Sequence, residues 1–202
     1  MKLVFATSNE NKLNEMRQIL PPGFEVDGLG DIGFEEDLPE TQETIEGNAI
    51  QKARTLHEIM HVDCFAEDTG LEIDVLYGTP GVRSARYAGS QRSSRDNMQK
   101  VLQNMSGKGD RSARFRTVIA LFLNDELFTF EGVVEGVILQ APEGSGGFGY
   151  DPIFKPLGFD HSFGSLPPEV KNKISHRARA TQKLIKFLRQ QASADKTKIQ
   201  DD

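Results

Sequence analysis

FAEDTGLEIDVLYGTPGVRSARYAG, residues 65–89, is the stretch whose reading decides the fold. It grows out of an apolar run, His61 to Ala66, of the length of a buried strand, and that run stops at two carboxylates, Glu67 and Asp68. A strand ending there, with a polar turn directly after it, is the expectation. In an open α/β sheet ligands lie outside the carboxyl ends of the strands, so an acid pair at that point is placed for chemistry. Carboxylate oxygens also suit a hard cation such as Mg2+. The competing reading is that Glu67 and Asp68 only cap the turn before Leu71.

The rest of the chain bounds the choice. A length of 202 residues fits one domain, expected as a single two-lobed unit over 1–192 with the polar SADKTKIQDD, 193–202, as a frayed tail. Hydrophobic and charged contents of 37% and 27% suit a globular core. A net charge of -6 opposes general nucleic-acid binding, because a phosphate backbone demands a basic face. An anionic small substrate fits if cations are gathered locally. The one cysteine, Cys64, excludes an internal disulfide and suits a reducing compartment. MKLVFATSNE is too short an apolar opening for a signal peptide or a membrane span, so a cytoplasmic protein with no membrane contact is expected.

Lys2 to Ala6 reads as a strand, and Leu13, Met16 and Leu20 mark one face of a helix stopped by Pro21-Pro22-Gly23. Between them lie Thr7, Ser8, Asn9, Glu10, Asn11 and Lys12. A loop that hands a strand over to a helix offers free N–H groups and the positive end of the helix dipole, and Lys12 adds a full charge. The pattern GxxxxGK[ST] is absent, and an ordinary polar turn is the alternative. Residues 28–43 form an acidic loop in which Glu40 follows Pro39. Ile45, Ala49, Ala53, Leu56 and Met60 recur at helical spacing, giving a helix from Thr44 to about His61 with Lys52 beside its apolar stripe.

After the turn at Gly78-Thr-Pro-Gly81, Arg83 and Arg86 could bind phosphate or merely solubilise. Ser94 reads as the cap of a helix carrying Met98, Val101, Leu102 and Met105. Alternation from Ala113 to Leu123 predicts a long strand, followed by strands at Leu127 to Phe130 and Val133 to Leu139. Consecutive strands with no helix between them imply antiparallel pairing, so the expected class is α/β: a mixed twisted sheet with flanking helices.

GSGGFGYDP at 144–152 satisfies GxGxxG, but Pro152 and Pro156 follow where the dinucleotide fingerprint requires a helix, and that reading is rejected. A glycine loop carrying Phe148 and Tyr150 can instead offer a ring to a flat ligand. Lys171, Lys173, His176, Arg177 and Arg179 crowd one short segment, before a last helix carrying Ala180, Leu184, Ile185 and Leu188. HExxH, CxxC, GxSxG and internal repeats are absent, so zinc, thiol and serine-hydrolase chemistries lack motif support.

TSNENK at 7–12, EDTGL at 67–71, PGVRSARYAG at 80–89, GFGYDP at 147–152 and KNKISHR at 171–177, in this order, resemble the inosine/xanthosine triphosphate pyrophosphatase family over nearly the whole length. The resemblance implies a Mg2+-dependent hydrolase that cuts ITP, dITP and XTP to the monophosphate and pyrophosphate. It also implies a homodimer of elongated subunits, each with a cleft between two lobes. By the same resemblance Thr7 to Lys12 hold the triphosphate, with Lys52 and Lys171 adding charge. Asp68 is then the catalytic carboxylate and a metal ligand, with Thr69 beside the substrate and Glu40 as second metal ligand. Phe148, Gly149, Tyr150 and Asp151 form the base loop, and His176 with Arg177 reads a 6-keto purine. Two departures stand out: Asn11 where glycine is frequent, and Gly164-Ser165 in place of the usual Ala-Glu. The rival readings are a less selective triphosphate hydrolase and a non-catalytic nucleotide-binding protein.

Overall fold

The computed structural model describes the backbone of residues 2–200 and the side chains of 2–191; the expected tail at 193–202 falls outside the residues described in full. Three long strands make the spine. β3 (Cys64–Ile73) pairs antiparallel along its whole length with β4 (Ser112–Leu123), which pairs in register with β5 (Glu126–Ile138) across a turn at Asn124 and Asp125. β1 (Lys2–Phe5) lies parallel to β3 but its last two residues pair only with the start of β3, Val4 with Cys64 and Phe5 with Phe65. β2 (Glu25–Gly28) runs parallel to β1, and β6 (Phe154–Pro156) closes the other edge antiparallel to β5. The sheet is therefore mixed, in the order β2-β1-β3-β4-β5-β6.

Alternation decides which helix covers which face. Cys64, Ala66, Val118 and Ala120 point to one side, where α2 (Ile45–Met60) lays Ala49, Ala53 and Leu56 on them. Phe65, Ile119 and Leu121 point to the other, against Leu13 and Met16 of α1 (Glu10–Ile19) and Ala180, Leu184 and Leu188 of α5 (His176–Gln200). A third cluster gathers at the far ends of the long strands, where Leu71, Ile73 and Phe115 meet Phe154, Phe163 and Val101 of α3 (Ser94–Asn104). Each fully buried leucine or phenylalanine in these layers contributes about 2 kcal/mol.

α5 lies on bare strand backbone. A Cβ on Gly132 of β5 would stand 2.0 Å from the His176 carbonyl oxygen and 2.5 Å from the Ala180 nitrogen. That close approach brings the first turn of α5, with His176 and Arg177, up to the sheet.

Several boundaries depart from the sequence reading. β3 does not stop at Ala66, because β4 supplies a partner for every residue as far as Ile73, so Glu67 and Asp68 lie mid-strand and no turn follows them. What ends beside them is β1. The two strands expected at 127–139 are one, since Glu131 and Gly132 keep their ladder to Val118 and Thr117. β2 lies in a stretch given no element before the acidic loop, and β6 in a stretch expected as loop; each is only three or four residues long and carries no alternation of its own. The last helix starts at His176 rather than near Ala180, after a short α4 (Pro168–Ile174), and α3 is capped by Ser93 rather than Ser94.

Candidate active site

A cavity of about 650 Å³ opens where β1 gives out. Every expected site residue lines it except Glu10 and Asn11, which face outward on the first turn of α1. Strand alternation gives the cavity two ionic walls. Consecutive residues of β3 point to opposite faces, so Asp68 turns towards α2 and Glu67 towards α1 and α5.

On the α2 wall, Lys52 donates to Glu40 Oε1 at 2.7 Å and to the Glu67 main-chain oxygen at 2.8 Å, and stands 3.6 Å from Asp68 Oδ1. Lys52 was expected beside the apolar stripe and often such a lysine is solvated; here it is 6% exposed, held by two carboxylates and a carbonyl. Asn48, one turn earlier, donates to Asp68 Oδ2 at 3.4 Å, and Arg86 donates to the second oxygen of Glu40 at 3.3 Å. Burial raises the Asp68 carboxyl and outweighs the pull of Lys52. Burial also opposes ionisation of Glu40, but Lys52 more than compensates and holds it below the usual carboxylate range.

On the other wall, Arg177 wraps Glu67. Its Nε and Nη2 reach Glu67 Oε1 and Oε2 at 2.8 to 3.0 Å, and its Nη1 donates to Glu15. Lys12 adds a contact to Glu67 at 3.2 Å. Burial penalises the Glu67 charge, yet Arg177 and Lys12 overcome it and hold the carboxyl down at about 2. Lys171 is shared between Glu15 and Asp151, each at 2.7 Å, and its ammonium stands 4.9 Å from the Phe148 ring centre. Burial raises the Asp151 carboxyl despite Lys171. Thr69, also on this face, shares a hydroxyl hydrogen bond of 2.7 Å with Thr117.

The first loop is arranged by its own cap. Asn9 Oδ1 accepts from the Asn11 and Lys12 N–H groups at 3.0 and 3.2 Å, while the Asn9 N–H donates to Thr7 Oγ1. Helix α1 consequently starts at Glu10, which aims Lys12 back over Glu67. Burial lowers the Lys12 ammonium, and Glu67 opposes that.

The glycine loop supplies the third side. Gly147 adopts φ 71°, and a Cβ there would lie 2.2 Å from Asp151 Oδ2, the atom that accepts from the Phe148 N–H at 2.7 Å. Tyr150 donates to the Ser84 carbonyl at 2.7 Å. His176 stacks on Phe115 with ring centres 4.5 Å apart, and its buried Nδ1 has no hydrogen-bond partner. Burial and the neighbouring Arg177 and Lys171 push its imidazole well below the ordinary value, so the ring is neutral.

Sequence reasoning gave no role to Glu15, Asn48 or Ser84. Glu15 and Asn48 carry a signal, since they lie one helical turn from Lys12 and Lys52. Arg83 and Arg86 were read alike; Arg86 lines the cavity, whereas Arg83 does not. The metal question turns on donors. Among the described residues no three His, Cys, Asp or Glu side chains converge. Asp68 and Glu40 do converge, on the Lys52 ammonium, and two hard oxygens suit a cation that takes its remaining ligands from substrate phosphate and water.

The chain is similar to known proteins over nearly its whole length. The Ham1 family matches residues 3–187. The chain is 50% identical over 188 residues to a dITP/XTP pyrophosphatase of Flavobacterium johnsoniae, covering 93% of this chain and 98% of that one. It is 46% identical over 189 residues to a dITP/XTP pyrophosphatase of Bacillus subtilis, covering 92% and 96%. The solved Staphylococcus aureus Ham1 protein superposes with a TM-score of 0.86 at 37% identity, covering 95% of this chain and all of that one. A match that starts in β1 and ends in α5 takes in every wall of the cavity, and the chain belongs to the Ham1 family.

Proposed function

We propose that the protein hydrolyses non-canonical purine nucleoside triphosphates, ITP, dITP and XTP, to the monophosphate and pyrophosphate. The carrying observation is the convergence on one cleft of an Asp68–Glu40 pair, the four cations Lys12, Lys52, Lys171 and Arg177, and an aromatic glycine loop. The relatives named as dITP/XTP pyrophosphatases support the choice of substrate.

The reading assigns Mg2+ to Asp68 and Glu40, where it would supply Lewis-acid polarisation of the phosphate oxygens. The chain's own groups do the rest. Lys52, pressed between Asp68 and Glu40, is the cation that turns to phosphate once those carboxylates are otherwise engaged. Lys12 and Lys171 neutralise the departing pyrophosphate from the opposite wall. In the same reading Asp68, which lines the cleft, orients the water that attacks the α-phosphorus. Thr7, Ser8 and Asn9 frame the phosphate end of the cleft, and Thr69 lines it on the Glu67 side.

Base selection follows from spare hydrogen-bonding capacity. Arg177 is committed to Glu67 and Glu15, whereas the His176 imidazole lines the cleft with no carboxylate partner of its own. In this reading an N–H of His176 donates to the keto oxygen of a 6-keto purine and would face the amino group of adenine, a donor against a donor and a mismatch of roughly 1 to 3 kcal/mol. Phe148 and Tyr150 supply the flat surface. The reading further includes a homodimer in the cytoplasm, which sedimentation and fractionation test. Among the described residues no helix is long and apolar enough to cross a membrane.

The test is a panel of nucleoside triphosphates with Mg2+, scored by product. ITP and XTP are expected to give monophosphate and pyrophosphate far faster than ATP; equal rates on ATP, or release of orthophosphate, would refute the reading.

A further inference from the structure

The loop that carries Phe148 and Tyr150 has almost no side chains with which to hold itself in place. Five of the eight residues from Glu143 to Tyr150 have no group beyond hydroxyl or hydrogen, and Gly144, Gly147 and Gly149 take positive φ. Its far end is tied by Tyr150 to Ser84 and by the Phe148 N–H to Asp151, and the contacts along its glycine-rich half come from the strap 161–165, between β6 and α4. The Gly146 N–H donates to the Gly164 carbonyl at 2.8 Å, and the Gly164 N–H donates to the Asp151 carbonyl at 3.0 Å. A Cβ on Gly144 would meet the Gly164 oxygen at 2.3 Å, so the two backbones are in contact.

Glu143 is the charged member of that seam. Its carboxylate faces His161 Nδ1 at 2.7 Å and accepts from the Ser162 N–H at 3.3 Å. Its carbonyl accepts from the Ser162 hydroxyl at 2.6 Å, and its N–H closes the loop's neck on the Pro152 carbonyl at 2.8 Å. The hydrogen bond from His161 holds the Glu143 carboxyl below the usual range, so the carboxylate is charged at neutral pH. One residue thus grips the strap with its side chain and its main chain at the hinge of the loop. Glu143 does not line the cleft.

We propose that Glu143 is a positioning residue for base recognition: by gripping His161 and Ser162 it sets where Phe148 and Tyr150 stand, and so governs purine affinity and selectivity without touching substrate. This rests on the reading of residues 148–151 as the base loop. The phosphate end of the cleft is built on α1, α2 and β3, none of which meets the strap through Glu143, so the effect is confined to the base.

Steady-state kinetics on Glu143→Gln and on the surface variant His161→Ala, with ITP and ATP as substrates and inorganic tripolyphosphate as a base-free competitor, test the assignment. For both variants KM for ITP rises about tenfold while kcat and the tripolyphosphate inhibition constant stay within about twofold. The preference for ITP over ATP falls, and Glu143→Asp recovers part of it. Unchanged KM and preference in both variants, or an equal weakening of tripolyphosphate, would overturn the role of Glu143 alone. A wild type that turns over no ITP would overturn the proposed function and this inference with it.

Discussion

Asp68 owes its environment to a single peptide bond. Its neighbour Glu67 points the other way and absorbs Arg177 and Lys12, which leaves Asp68 facing Lys52, Asn48 and the open cleft. Asp68→Asn keeps the shape and the Asn48 contact while removing the charge, so turnover of ITP is expected to fall by about a thousandfold or more with the fold intact, as kinetics and circular dichroism together would show. Glu67 makes the opposite kind of prediction. Its folded value near 2 lies below the unfolded carboxylate value near 4.5, so its stabilisation is fully present above about pH 4.5 and drains away as pH falls towards 2. The linked amount is about 3 kcal/mol, and urea titrations should show Glu67→Gln flattening the acid limb while lowering stability at pH 7 by about 3 kcal/mol, since buried Arg177 and Lys12 lose the carboxylate they share and Arg177 keeps only Glu15. At this scale the motifs pointed to Asp68, Lys171 and His176, and Lys52 came from the family resemblance alone. It could not show that Glu67 is an internal counter-ion, because β-strand alternation separates adjacent acids only once the strand is known to run on to Ile73.

Helix and strand placement depends on a few backbone positions. Gly132 admits the first turn of α5, and Gly132→Ala drives a methyl into the His176 carbonyl, so a loss of about 3 kcal/mol or more is expected in denaturant titrations, with KM for ITP raised as His176 is pushed out of place. Tyr77 is the counterexample. It adopts φ 53° at the end of a short 3-10 turn with its side chain 98% exposed, so Tyr77→Gly relieves a left-handed conformation at little cost in contacts. The thermal midpoint should rise by an amount equivalent to about 1 kcal/mol, with ITP turnover unchanged. Elements with a full period were readable: α2 from Thr44 to His61 and β4 from its alternation. β2 and β6 were not, because three or four residues at a sheet edge carry too few side chains to set a pattern, and their pairing comes from β1 and β5.

Across the whole molecule, the cleft is a joint property of segments separated by up to 170 residues in the chain, from Thr7 to Arg177. Its cations are pre-paired with carboxylates, which offsets their repulsion before substrate arrives and keeps an acidic protein capable of holding a polyphosphate. Mg2+ with a non-hydrolysable ITP analogue should therefore raise the thermal midpoint more than the sum of the two alone, and Glu40→Gln should abolish that surplus. The mixed sheet was readable from strands following one another without helices. That β1 stops just where β3 presents its acids was not, since it depends on pairing between strands nearly sixty residues apart. The most direct test of the central claim is hydrolysis of dITP in water enriched in oxygen-18, followed by mass spectrometry of both products. Attack at the α-phosphorus beside Asp68 predicts the label in the monophosphate and none in pyrophosphate; label in pyrophosphate or in orthophosphate would contradict the account.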